Sequence, residues 1–266
     1  MLTAMFGWLQ RWRCSPPPQP ALPADWARMI RRWIPAWAQL TAPERARLEE
    51  LVRVFLLKKR FEGCGGFNLT DEMRIAIAAN ACLLALGRPG TPYPRLVTVL
   101  LYEKPFVSTV KHDLGEGVIE EYEEERTGEA WEHGSVILAW EEIEGDRQAH
   151  DGHNVILHEF AHLLDLEAGG FDGAPGVGDK AAHEAWAKVF RREYDELIHA
   201  SEAGKETLLD DYGATDPAEF FAVATECFFG EPLALRARHP KLYRQLQRYF
   251  NQDPAARHHE HKRSMV

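Results

Sequence analysis

The sequence predicts an α+β protein. Apolar residues recur at helical spacing in long blocks before residue 90 and after residue 154, and two short β-branched runs, 96–102 and 135–140, lie between those blocks. The chain has 266 residues and is 45% hydrophobic, enough to bury one large core without a second domain.

Residues 1–24 read as an N-terminal arm and linker. Trp8, Arg11, Trp12 and Arg13 precede Ser15-Pro16-Pro17-Pro18-Gln19-Pro20, a stretch that cannot continue a helix. The main domain is expected over 25–252. Its first helices are predicted at 25–37 and 43–61, the second with Leu48, Leu51, Val52, Phe55 and Leu56 on one face. Thr70-Asp71-Glu72-Met73 resembles a helix start, and that helix should end at Gly87, with Pro89 beyond it. Residues 96–102 and 135–140 are bounded by Pro or Gly and read as strands, and the acidic stretch 120–125 between them reads as a solvated loop or edge segment. Helical spacing returns at Asn154 and runs to about Glu167, where Gly169-Gly170 stops it. Further helices are predicted at about 180–200, 217–229 and 240–250. Residues 253–266, polar and carrying His258-His259-Glu260-His261, are expected to be a disordered tail.

Bulk properties narrow the function classes. A net charge of -10 argues against direct nucleic-acid binding, which needs clustered Lys and Arg. Cys14, Cys64, Cys82 and Cys227 lie far apart with no CxxC pair, so neither a disulfide framework nor a cysteine zinc site is suggested. The basic residues near the start follow the apolar stretch 2–9, the reverse of a secretory leader, and no run approaches the ~18 apolar residues of a transmembrane span. A cytoplasmic protein is expected.

The chemistry is concentrated in His158-Glu159-Phe160-Ala161-His162. Histidines four residues apart project from one helix face about a turn apart and can reach one metal ion. Zinc with two imidazoles and one further protein ligand keeps a position for water, whose pKa it lowers towards about 7. Glu159 stands beside the first histidine as a general base that is near the metal without binding it. Val155, Ile156, Leu157, Leu163 and Leu164 bury the same helix, so two histidines and a glutamate among them would be costly without a shared purpose. His150 and His153 precede the helix and are expected to be loop residues. Asp165 suits either a carboxylate that holds the far nitrogen of a ligand histidine or a structural salt bridge.

No third histidine follows His162 at the metzincin offset, so the third ligand should be a carboxylate from Glu167, Glu184, Glu193, Glu219 or Glu226. Glu167 sits about 140° around the helix from His162 and should point away. Glu219 and Glu226 share an apolar helix two turns apart, where a buried carboxylate needs a partner. Glu219 also fits the third position of a helix capped by Asp216 and begun by Pro217, a place that favours glutamate for local reasons. Spacing leaves both open.

Phe61-Glu62-Gly63, the segment from His153 to Asp165, and Tyr212-Gly213-Ala214-Thr215-Asp216-Pro217-Ala218-Glu219 are similar to the Mlc titration factor A family. The likeness runs from Met5-Phe6-Gly7-Trp8 to about Phe250, and the catalytic domain of anthrax lethal factor has a similar arrangement. The resemblance implies a zincin-like metallopeptidase, with a small sheet beside the metal-binding helix and several flanking helices. It makes His158, His162 and Glu219 the zinc ligands, Glu159 the general base, and Tyr212, otherwise an ordinary loop tyrosine, a hydroxyl donor to the oxyanion. It also implies aminopeptidase-like activity on small substrates and an Mlc-type transcriptional repressor as partner.

Within such a fold, 135–140 is expected to be the strand nearest the site, with a free edge on which a peptide substrate pairs. The leading function is zinc-dependent peptide hydrolysis. The competing class is a protein that sequesters a regulator and whose zinc site is latent or structural, and a hydrolase of non-peptide amides or esters would use the same water.

Overall fold

The computed structural model describes residues 23–113, 119–126, 128–131, 134–149, 152–170 and 172–258, with backbone alone over 106–131. Nearly all of the expected 1–24 arm and residues 259–266 of the expected tail lie outside the described residues, as does His150.

The chain opens with α1 (Trp26–Trp33), which stops earlier than the predicted 37. Ile34 precedes Pro35 and is extended, and a 3-10 helix, Pro35–Gln39, takes over. Helix α2 (Ala42–Lys58) starts on a reciprocal cap, with the Glu44 amide donating to Thr41 Oγ1 and the Thr41 amide donating to Glu44 Oε2. It does not reach Phe61. Lys59 is buried and its Nζ donates to the carbonyls of Tyr93 at 2.5 Å and Leu96 at 2.7 Å, and the chain then turns extended as β1 (Arg60–Gly63). Helix α3 (Asp71–Ala85) is capped by Thr70 and is buried on every side from Ile75 onward, which makes it the central helix.

Among the described residues five strands follow: β2 (Thr98–Tyr102), β3 (Phe106–Asp113), β4 (Ile119–Arg126), β5 (Gly128–Trp131) and β6 (Ser135–Ala139). The acidic stretch 120–125 is therefore strand, paired antiparallel with β3 as a separate two-stranded sheet. The main sheet has the order β1-β2-β6-β5, in which the first three strands are parallel and β5 runs antiparallel to β6. The edge expected to be free on β6 is thus covered on both sides. Trp140 does not extend this strand, as 135–140 predicts, but begins a further helix, α4 (Trp140–Ala149).

The remaining elements are α5 (Val155–Glu167), α6 (Lys180–Glu202), α7 (Pro217–Gly230), α8 (Pro232–Arg238) and α9 (Pro240–Phe250). Asn154, Asp179 and Asp216 cap the first three through their side-chain oxygens, and proline begins the last three. Helix α5 lies between α3 and α7 with the sheet alongside. Phe160 on its core side meets Tyr93 edge-on at 4.9 Å and Phe55 at 5.9 Å. A second aromatic cluster, in which Trp186 stacks on Phe190 at 3.9 Å, joins α6 to α7 and α9. Among the described residues no helix is long and apolar enough to cross a membrane.

The expected disordered tail is not disordered at its start. Residues 254–258 form a helical turn, Ala255 is fully buried, and Arg257 donates to Glu44 Oε1 from both Nε, at 3.1 Å, and Nη2, at 2.5 Å. That carboxylate also closes the cap of α2, so the tail fastens the first long helix. Arg257→Ala should lower stability by about 1–3 kcal/mol, read as a lower urea midpoint. An unchanged midpoint would show that the contact contributes nothing.

Candidate metal centre

His158 and His162 leave α5 one turn apart and meet Glu219 from the first turn of α7. His158 Nε2 lies 3.2 Å from His162 Nε2 and 2.9 Å from Glu219 Oε2, and His162 Nε2 lies 3.4 Å from the same oxygen. Ligands of a tetrahedral ion at about 2.0 Å are themselves about 3.3 Å apart. Three donor atoms with these separations form one face of such a tetrahedron, and the group can hold a metal ion. Both histidines are buried and Glu219 is mostly so.

Glu219 reaches this place because its helix starts where it does. Asp216 Oδ1 accepts from the amides of Ala218 and Glu219, which releases the Glu219 carboxylate from capping its own helix. Gly173, at φ +70°, allows the close approach, since a Cβ there would lie 2.2 Å from the Pro217 carbonyl oxygen. Asp165 ties the same turn to α5, its Oδ2 accepting from the Gly173 amide at 2.8 Å. That carboxylate thus bonds to backbone, and burial pushes it up to about 6.

Glu226 lies on the opposite side of His158. Its Oε1 is 2.7 Å from His158 Nδ1 and its Oε2 accepts from the Asn154 amide at 2.6 Å. The two carboxylates that spacing left open therefore stand on different nitrogens of one imidazole. Of the other candidates, Glu193 pairs with His239 at 2.7 Å, Glu184 lies 3.8 Å from Lys180 on the surface, and Glu167 lies in the field of Arg88, Lys59 and Arg95.

Burial alone would push the His158 imidazole down, but Glu219 and Glu226 outweigh it, with Glu159 adding to them, and hold it well above its ordinary value. Burial likewise opposes ionisation of Glu219, yet the two histidines bring its carboxyl down to about 2. Glu159 is buried on α5 beside His158. The Tyr212 ring, on the 3-10 helix Asp211–Ala214, lies 6.0 Å from the His158 ring and is 54% exposed, so it stands at the open side of the cluster. A cleft of about 710 Å³ opens beside Tyr212 and on the Glu226 side of His158, lined also by Asp146, Glu231 and Arg238; Glu159, His162 and Glu219 do not line it.

His153 is a half-exposed loop residue outside the donor cluster, as expected. Asp146 was not foreseen. Its Oδ2 accepts from the Val155 amide at 2.7 Å and its Oδ1 lies 3.1 Å from His153 Nδ1, contacts that depend on how α4 packs against α5 and leave no mark in local sequence.

A family profile described as glucose-regulated metallo-peptidase M90 matches residues 8–251. An uncharacterized protein of Synechocystis sp. is 42% identical over 249 residues, covering 93% of this chain and 90% of its own. Proteins named Mlc titration factor A from Yersinia pestis and Yersinia pseudotuberculosis are 31% identical over 261 residues, covering 95% of this chain and 92% of theirs. The chain belongs to the M90 metallopeptidase family. Membership implies a metal cofactor, and the donor set of two imidazoles and one carboxylate suits one.

The loop before α5 of this M90 protein carries its own pH dependence. The Asp146 carboxylate beside His153 raises the imidazole to about 9 against burial, with Glu226 assisting. Because the folded value lies above the ordinary 6.5, the stabilisation is complete below about 6.5 and is lost as pH rises through about 9. The Tm difference between the wild type and His153→Gln should therefore shrink from about pH 6 to about pH 9.5. A difference independent of pH would remove the ion pair.

Proposed function

We propose that this chain is a zinc-dependent peptidase with a zincin-like active site, in which His158, His162 and Glu219 hold the metal, Glu159 is the general base and Tyr212 the oxyanion donor. The observation that carries this reading is the convergence of three donor atoms at tetrahedral spacing, two from the helix that also presents Glu159 and one from α7. Two nitrogens and one oxygen suit zinc and leave a position open, as a catalytic rather than a structural site requires. Zinc bound there supplies Lewis acidity and makes water a better nucleophile near neutral pH.

The protein's own groups do the rest. The Glu159 carboxylate accepts a proton from the attacking water and delivers it to the departing amine nitrogen as the C–N bond breaks. The Tyr212 hydroxyl donates to the carbonyl oxygen as negative charge develops on it. With β6 enclosed, the free edge beside α5 among the described residues belongs to β5, and an extended peptide substrate would pair there. An aminopeptidase-like preference is supported by the acidic wall of the neighbouring cleft, where Glu142, Asp210 and Glu231 suit an α-ammonium.

A second reading is favoured by the name of the Yersinia relatives: a cytoplasmic protein that sequesters an Mlc-type transcriptional repressor, with a latent or structural zinc site. Glu159 supports the enzyme, since a structural site needs no base. The net charge of -10 supports contact with a regulator in preference to its DNA.

Glu159→Gln should retain stoichiometric zinc and lose hydrolysis of small peptide substrates by about 10²–10⁴-fold. Unchanged hydrolysis would remove Glu159 as base, and a wild type without stoichiometric metal would remove the site. Tyr212→Phe should lower kcat by about 10²-fold with KM little changed; a change confined to KM would make Tyr212 a binding residue only.

A further inference from the structure

We infer that Glu226 is the positioning residue of this centre: it fixes which nitrogen of His158 faces the metal and couples that choice to the start of α5. The inference rests on the proposed role of His158 as a ligand and adds a residue that does not itself touch the metal.

Glu219 and Glu226 are seven residues apart on α7, so they lie on one face about 10.5 Å apart along the axis. The His158 ring sits between them, Nε2 at 2.9 Å from Glu219 and Nδ1 at 2.7 Å from Glu226. A carboxylate only accepts, so Nδ1 carries hydrogen and donates to Glu226 Oε1. Once Nε2 is deprotonated, as a metal ligand must be, the neutral ring keeps its lone pair there, facing the space shared with Glu219 Oε2 and His162 Nε2.

The second oxygen of Glu226 links this tautomer to the backbone. Glu226 Oε2 accepts from the Asn154 amide, while the Asn154 side chain caps α5 by accepting from the Leu157 amide at 3.1 Å. Asn154 Nδ2 donates to Asn80 Oδ1 at 3.2 Å, and Asn80 Nδ2 donates to the Ala76 carbonyl at 3.0 Å within the buried α3. The Asn154 carbonyl accepts from the His158 amide at 3.0 Å. One carboxylate therefore holds both the ring of His158 and the residue that begins its helix.

A purely structural role would also tie α7 to α5, and Asp146 provides the comparison, because it caps the Val155 amide without touching a donor of the cluster. The experiment measures zinc affinity by chelator competition and the Co²⁺ absorption spectrum in the wild type, Glu226→Gln, Glu226→Leu and Asp146→Asn, with Tm of each metal-free protein. Both Glu226 variants should bind zinc about 10–100-fold more weakly and shift the Co²⁺ bands, Glu226→Gln with the smaller loss of Tm. Asp146→Asn should lower Tm and leave affinity and spectrum unchanged. Wild-type affinity and spectrum in folded Glu226→Gln would overturn the inference and leave the metal site standing. An equal loss of affinity in Asp146→Asn would overturn it too, by reducing Glu226 to an anchor of the helix start. A folded wild type that binds neither metal would remove the metal site and the inference together.

Discussion

The contact on which the site depends is that of α5 with α7, and within it the His158 ring held between Glu219 and Glu226. Two carboxylates and two imidazoles in an apolar helix pair are a liability, because an ionised group left unpaired in such surroundings costs several kcal/mol. Each polar atom must therefore meet its partner, and this restricts how the helices sit. The Asp216 cap, the close approach of Gly173 to Pro217 and the Asp165 bond to the Gly173 amide all act on the first turn of α7. Asn154 and Asp146 act on the first turn of α5. The site is specified at the two helix starts, and the core behind it, where Phe160 meets Tyr93 and Phe55, keeps those starts from sliding.

Much of this was legible in the amino-acid sequence where the determinant is local. The long helices announce themselves through apolar spacing and caps, and α9 coincides with the predicted 240–250. His158 and His162 are legible because four residues on a helix is a fixed geometry. What escaped was tertiary. Strand β1 was hidden because Phe61 continues the apolar spacing of α2, whereas Lys59 seats on the Tyr93 and Leu96 carbonyls and the next four residues pair with β2. Helix α4 was hidden because Trp140 extends the apolar run of β6. The short β5 carries no strand signal of its own, yet it takes the edge of β6 that sequence reasoning had reserved for a ligand. Glu219 and Glu226 could not be ranked by spacing, since seven residues return to the same face. The distinction lies in which nitrogen of His158 each one meets.

The electrostatics explain why a divalent cation suits these residues. Three carboxylates, Glu159, Glu219 and Glu226, surround His158, and without a metal ion the charge is balanced in part by keeping the imidazole protonated well above its ordinary range. The same pairing holds Glu219 ionised down to about 2. In that charged form a proton on His158 Nε2 would face Glu219 Oε2, where a metal held by these residues would lie, while the Nδ1 hydrogen stays with Glu226. Ligation of a metal would require the neutral ring, so binding would release the Nε2 proton. The ring need not turn over to do this. A histidine whose far nitrogen is already engaged exchanges one cation for another without rearranging the helix that carries it, and the cost of preparing the site is met when the chain folds.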